Sequence, residues 1–99
     1  MLERRPNRTF YSINTTKVLL INTSEIIYEI GTANFSFEAT NLGSFTIFYG
    51  QSNLISNSGG LIAPNGSKTW DEVGDSFQLH FRVSSGGTTS PLVIQEYGI

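Results

Sequence analysis

The chain contains no cysteine, so neither a disulfide framework nor a thiolate metal site is available to it. It holds one histidine, one methionine and one tryptophan. No apolar run approaches the roughly 20 residues that a membrane-crossing helix needs. The longest, Val18-Leu19-Leu20-Ile21, has the length of a strand. The start, Met1-Leu2-Glu3-Arg4-Arg5-Pro6-Asn7-Arg8, lacks the apolar core of a secretory signal, so synthesis and retention in a cytoplasm are expected. Good helix formers are scarce and never clustered.

What is present points the other way. Asn, Thr, Ser and Gly together supply 40 of the 99 residues, a composition suited to turns and β-surfaces. Asn-x-Ser/Thr triplets at Asn7, Asn14, Asn22, Asn34 and Asn65 follow from that composition and are not read as glycosylation sites. A chain of this length has room for one core and one domain. The formal net charge is −2, but residues 1–8 carry about +2 through Arg4, Arg5 and Arg8 against Glu3, and the remainder is mildly acidic. Such a body is not a nucleic-acid-binding surface.

Period-2 alternation dominates from Phe35 onward. Phe35, Phe37 and Ala39 alternate with polar neighbours, Asn41-Leu42-Gly43-Ser44 signals a turn, and Phe45, Ile47 and Tyr49 follow, so a hairpin is expected here. Leu61-Ile62-Ala63 and Lys68-Thr69-Trp70 read as short strands around Pro64-Asn65-Gly66-Ser67, which fits a type I turn. Phe77, Leu79, Phe81 and Val83 share one strand face, opposite Gln78, His80, Arg82 and Ser84. Leu92 to Tyr97 closes the chain with Leu92 and Ile94 on one face. Earlier, Thr9–Ile13, Lys17–Asn22 and Glu25–Ile30 read as strands, with breaks at Asn14-Thr15-Thr16 and Asn22-Thr23-Ser24. The expected fold is all-β: a single antiparallel β-sandwich or small jelly-roll-like barrel over residues 9–99, with an extended basic arm at 1–8.

Catalysis is not expected. His80 falls on the polar side of its strand, and no motif supplies the orienting carboxylate and nucleophile that a general base would serve. There is no nucleophile elbow, no His-Glu-x-x-His and no phosphate-cradling glycine loop. No catalytic, cofactor-binding or metal residue is assigned. The acidic run Asp71-Glu72-Val73-Gly74-Asp75 lacks the ladder of a calcium loop and reads as a solvated turn. Phe48, Tyr49, Trp70 and Tyr97 are the candidates for a sugar-stacking platform, although aromatics in so small a β-fold are mostly core. Partner contacts are expected instead. Leu19, Ile26, Ile27 and Phe48 offer more apolar face than one small sandwich buries, and Arg4, Arg5 and Arg8 form either an inert tail or an arm that orders on a partner.

From Phe35 on, the order of signals is familiar. Asn41-Leu42-Gly43-Ser44 and Thr46-Ile47-Phe48-Tyr49-Gly50 lead to Ser58-Gly59-Gly60-Leu61-Ile62, then to Pro64-Asn65-Gly66-Ser67 and Trp70. An acidic turn, Phe77–Val83, Ser85-Gly86-Gly87 and a last strand ending Glu96-Tyr97 complete it. This pattern resembles small all-β virion proteins of tailed bacteriophages, notably capsid decoration (cement) and head or tail accessory proteins. The resemblance implies symmetric copies, no cofactor and no catalysis. It also implies location in a virion assembled in the host cytoplasm, and partners that are other copies of itself and virion proteins such as a major capsid protein. A carbohydrate- or receptor-binding β-sandwich module of a tail or baseplate is the alternative.

Overall fold

The computed structural model describes residues 12–50, 60–74, 76–84 and 86–98. They form eight strands and no helix: β1 Ser12–Ile21, β2 Ile26–Glu29, β3 Asn34–Asn41, β4 Ile47–Gly50, β5 Gly60–Ile62, β6 Ser67–Trp70, β7 Gln78–Val83 and β8 Ser90–Gly98. One sheet has the order β1-β8-β3-β6 and the other β2-β7-β4-β5, and every pairing is antiparallel. β1 pairs with β8, β2 with β7, β3 with β6 and β4 with β5. Among the described residues, the strands of the first half thus pair antiparallel with those of the second in nested order, and this double ribbon wraps into two facing sheets. That wrap is the jelly roll. The expectation of a small antiparallel β-sandwich holds.

Alternation explains the core. Phe37 and Ala39 of β3, Leu79, Phe81 and Val83 of β7, and Leu92 and Ile94 of β8 are all buried, each at every second position. Ile21, Tyr28, Ile30, Ile47 and Ile62 join them, with Trp70, Tyr49 and Phe77 packed at the margin. Phe37 stacks on Trp70 at 4.8 Å between ring centroids, and Tyr49 meets Trp70 edge-on at 5.0 Å.

Three local expectations are corrected. β3 and β4 do not form a hairpin: they lie in different sheets, joined by residues 42–46 as an arch across the sandwich. Alternation within each strand is the same for an arch and a hairpin. The choice is made by Asn41, fully buried at the crossing point. Its Nδ2 donates to the carbonyls of Phe45 at 2.8 Å and Ile62 at 3.0 Å. Its Oδ1 accepts from the Gly43 amide at 3.0 Å and the Ser90 hydroxyl at 2.7 Å. Gly43 lies so close to Ser90 that any β-carbon there would collide with the Ser90 side chain. Second, Asn14-Thr15-Thr16 is no break. β1 runs through it because β8 supplies partners from Gly98 to Ser90, with a bulge between Ile13 and Thr15 absorbing the irregularity. Third, the turn at Pro64 is type II. Asn65 has φ of 65°, which type I excludes at that position, while the Gly66 amide still bonds the Ala63 carbonyl at 2.8 Å.

Candidate functional site

Two kinds of feature could carry function: polar clusters and exposed apolar faces. One buried polar cluster centres on Glu96. Continuing the inward phase of Leu92 and Ile94, Glu96 points into the sandwich and is fully buried. Four groups meet it. The Tyr28 hydroxyl donates to Oε2. Asn34 Nδ2 and the Gly31 amide donate to Oε1 at 2.7 and 3.0 Å. Lys17 Nζ, 40% exposed, lies 3.4 Å from Oε2 and 5.6 Å from the centre of the Tyr28 ring. Gly31 is small for a reason: a β-carbon there would stand 2.8 Å from Oε1 and block the amide's approach.

Burial alone would raise the carboxyl's pKa. The hydrogen bonds from Tyr28, Asn34 and Gly31 and the charge of Lys17 outweigh it and hold Glu96 below its ordinary range, so it is ionised in the folded chain. Tyr28 moves far upward, through burial first and then through its bond to the Glu96 carboxylate and that group's charge. A carboxylate without solvent exposure and saturated with donors cannot reach a substrate. Its chemistry is structural: it locks β1, β2, β3 and β8 together in one phase.

His80 supplies a second cluster that sequence reasoning missed. Its Nδ1 is hydrogen-bonded to Oε2 of Glu25, 55 residues away, and its exposure is 9%. An orienting carboxylate therefore does accompany the histidine. The residues paired with His80 across the sheet are Ile27 and Gly50, neither of which offers a nucleophile. Replacing His80 with Ala is expected to lower stability by about 1–2 kcal/mol, through loss of a partly buried hydrogen bond and of the ring's packing. Urea denaturation of the two proteins measures it, and an unchanged midpoint would show the pair to be inert. Among the described residues no group of three or more histidine and acidic side chains is placed to hold a metal ion. Asp71 accepts instead from the Ser36 hydroxyl at 3.0 Å.

The sugar-platform candidates form no single platform: Tyr49 and Trp70 touch, but edge-on. Tyr49 and Trp70 pack against the core, Phe48 is 9% exposed, and Tyr97 projects half-buried from the outer side of β8. No shared flat face joins them.

The apolar faces remain. Of the four residues expected on a partner surface, Leu19 and Ile26 face inward against the core and Phe48 is 9% exposed, whereas Ile27 is 58% exposed. Arg4, Arg5 and Arg8, with the whole arm at 1–8, lie outside the described residues. The sequence signal was sound in kind, since Leu19-Leu20 and Ile26-Ile27 do place aliphatics on both faces. The exposed member of each doublet is the second, because Lys17 and Tyr28 reach inward to Glu96 and fix the phase. Val18 and Leu20 are 64% and 63% exposed on the outer side of β1. Val93 and Pro91 sit directly opposite them on β8, half-buried. Leu42, exposed, is tied to this end by its amide's 2.9 Å bond to the Pro91 carbonyl. On the other sheet Ile27 and Leu61 are exposed at opposite edges, with His80 and Phe48 on the strands between.

No family model, no curated protein and no solved structure matches the chain.

Proposed function

We propose that this chain is a structural virion component, a capsid decoration or cement-type protein that docks on a phage-like particle and stabilises contacts between neighbouring subunits. The observation that carries the reading is the exposure of large aliphatic side chains on both outer faces of one small sandwich: Val18, Leu20 and Leu42 on one, Ile27 and Leu61 on the other. Val18 and Leu20 stand beside Val93 and Pro91 as one contiguous exposed apolar strip, which marks an interface. Ile27 and Leu61, at opposite edges of the other sheet, offer separate points of contact, so the protein can bridge two neighbours. The jelly-roll wrap adds support by analogy of fold, since the architecture recurs in viral capsid domains as well as in lectins. Protein docking is favoured over sugar binding because Tyr49 and Trp70 spend their ring faces on the core. Arg4, Arg5 and Arg8 are proposed to meet acidic groups of a neighbour. Each exposed pair is worth about 0.2–1 kcal/mol, and attachment gains from repetition over symmetric copies.

The test is quantitative mass spectrometry of gradient-purified particles of the virus that encodes the chain. The expected result is a fixed copy number per shell. Occupancy of added protein should fall at least tenfold when Ile27 and Leu61 are both changed to Asp, because each charge would be buried at the contact. Recovery of the chain only in the soluble fraction would overturn the reading.

A further inference from the structure

Among the described residues, the four sheet edges are not protected alike. β2, β5 and β6 have four, three and four residues, so three edges are short. β6 also carries an exposed Lys68, and β5 is followed two residues later by Pro64. Short strands, lysine and proline are the usual means of discouraging edge-to-edge pairing. β1, the remaining edge, has ten residues and contains neither proline nor glycine. Its one charged residue, Lys17, is turned inward to Glu96. The outward positions Thr16, Val18 and Leu20 are therefore uncharged, and the last two are among the most exposed aliphatics of the described chain.

We infer that β1 pairs antiparallel with β1 of a second copy, joining two four-stranded sheets into one of eight strands across a two-fold axis at Val18. The choice of a second copy rests on charge. On a two-fold axis a residue at the centre faces its own copy, where a charge would meet its like, and the flanking outward positions face each other. Thr16, Val18 and Leu20 are all uncharged, so this strand accepts itself without repulsion. β1 is the one edge whose outward positions lack charge over a long stretch. The choice of register rests on the bulge between Ile13 and Thr15, which leaves Thr15–Ile21 as the regular segment, with Val18 at its centre. In that register Thr16 faces the partner copy's Leu20, and Lys17 faces Leu19 and not another Lys17. The apolar strip of Val18, Leu20, Pro91 and Val93 then continues across the axis as one wider strip, with Val18 and Leu20 packed beside the partner copy's Val18 and Thr16. This goes beyond docking on a particle, and it is measured on the isolated chain, so its outcome is independent of particle binding.

Sedimentation velocity over a range from low to high micromolar should show a monomer–dimer equilibrium. V18K and V18E should each weaken association at least tenfold, since like charges would be forced together on the axis. An equimolar mixture of the two should restore dimers, because Lys now faces Glu. A wild-type chain that stays monomeric throughout, variants that dimerise as the wild type does, or a mixture that stays monomeric would each overturn the proposal. Val18 is 64% exposed, so neither variant disturbs the core. A second measurement stands apart from charge. The chain has no cysteine, and paired positions of an antiparallel ladder lie about 4.5–5.5 Å apart between Cα atoms, within disulfide reach. V18C should oxidise to a covalent dimer, whereas L61C, on the other sheet, should not. Equal cross-linking of the two, or none by V18C, would equally refute the pairing.

Discussion

Replacing Glu96 with Ala is expected to cost about 3–5 kcal/mol, the range for breaking a buried charged network from one side. For a domain of this size total stability is about 5–15 kcal/mol, so the variant should be marginally folded at best. The methyl group cannot accept the three hydrogen bonds from Tyr28, Asn34 and Gly31, and these donors lose their carboxylate acceptor in the interior. Glu96→Gln should cost much less. Its carbonyl can still take the bonds from Asn34 and Gly31, and its amide can donate to a reoriented Tyr28 hydroxyl. The pH dependence separates the two effects. Glu96 has a folded pKa below its ordinary value of 4.5, so its contribution is complete above that value and is lost as pH falls through the lower, folded one. Tyr28 behaves in the opposite sense. Its folded pKa lies far above 10.0, so its contribution is complete below pH 10 and declines as the solution becomes more alkaline. Denaturant titrations from acid to alkaline pH should show both losses in the wild type, and Glu96→Gln should remove the Glu96 part of the acid loss. An acid limb that is identical in the two proteins would show that other carboxyls govern it. A Glu96→Ala protein as stable as the wild type would mean that water replaces the carboxylate as acceptor at no cost.

The same residue shows where sequence legibility ended. Phe77, Leu79, Phe81 and Val83, and Leu92 with Ile94, were readable as inward-facing because period-2 alternation is a local property and their neighbours are polar. Glu96 is next in that phase, but a carboxylate at an inward position is legible only once Tyr28, Asn34 and Lys17 are known to converge on it. These lie 62 to 79 positions away in the chain. The doublets Leu19-Leu20 and Ile26-Ile27 were correctly seen to have two apolar faces. Which face is buried is set by that same distant convergence: of the residues expected outward, Ile27 is exposed while Leu19 and Ile26 face the core, and Leu20, not among them, is exposed. His80 was likewise read without Glu25. The fold class was open to inspection because composition and strand spacing are summed over the whole chain. The sheet in which each strand lies was not, because a turn sequence records that the chain reverses and not which sheet it enters.

Asn41 is the residue that makes that decision, and its replacement should have the second large effect. Every hydrogen-bonding group it owns is engaged. Besides the four side-chain bonds, its amide donates to the Gly66 carbonyl at 2.9 Å and its own carbonyl accepts from the Asn65 amide at 2.7 Å. One side chain therefore joins the end of β3, the arch to β4, the end of β5 and the start of β8, which belong to both sheets. Asn41→Ala removes the four side-chain bonds and leaves the Ile62 carbonyl, the Gly43 amide and the Ser90 hydroxyl without this partner. At about 1–3 kcal/mol for each buried group left unsatisfied, with partial rehydration where the arch nears the surface, a loss of about 3–5 kcal/mol is expected. Each kcal/mol moves the melting temperature of a domain this size by about 4–8 °C, so the midpoint should drop by about 15 °C or more. Asn41→Asp is the sharper probe, because it preserves shape and both accepted bonds. It turns a carboxylate oxygen toward the Phe45 and Ile62 carbonyls in place of the donating amide, and should be as damaging as Ala or worse. Thermal melts of the three proteins at neutral pH decide the matter. If Asn41→Asp melts within a few degrees of the wild type, the two donated bonds do not hold the arch, and the crossing between sheets must be fixed by packing around Phe45 and Ile62 instead.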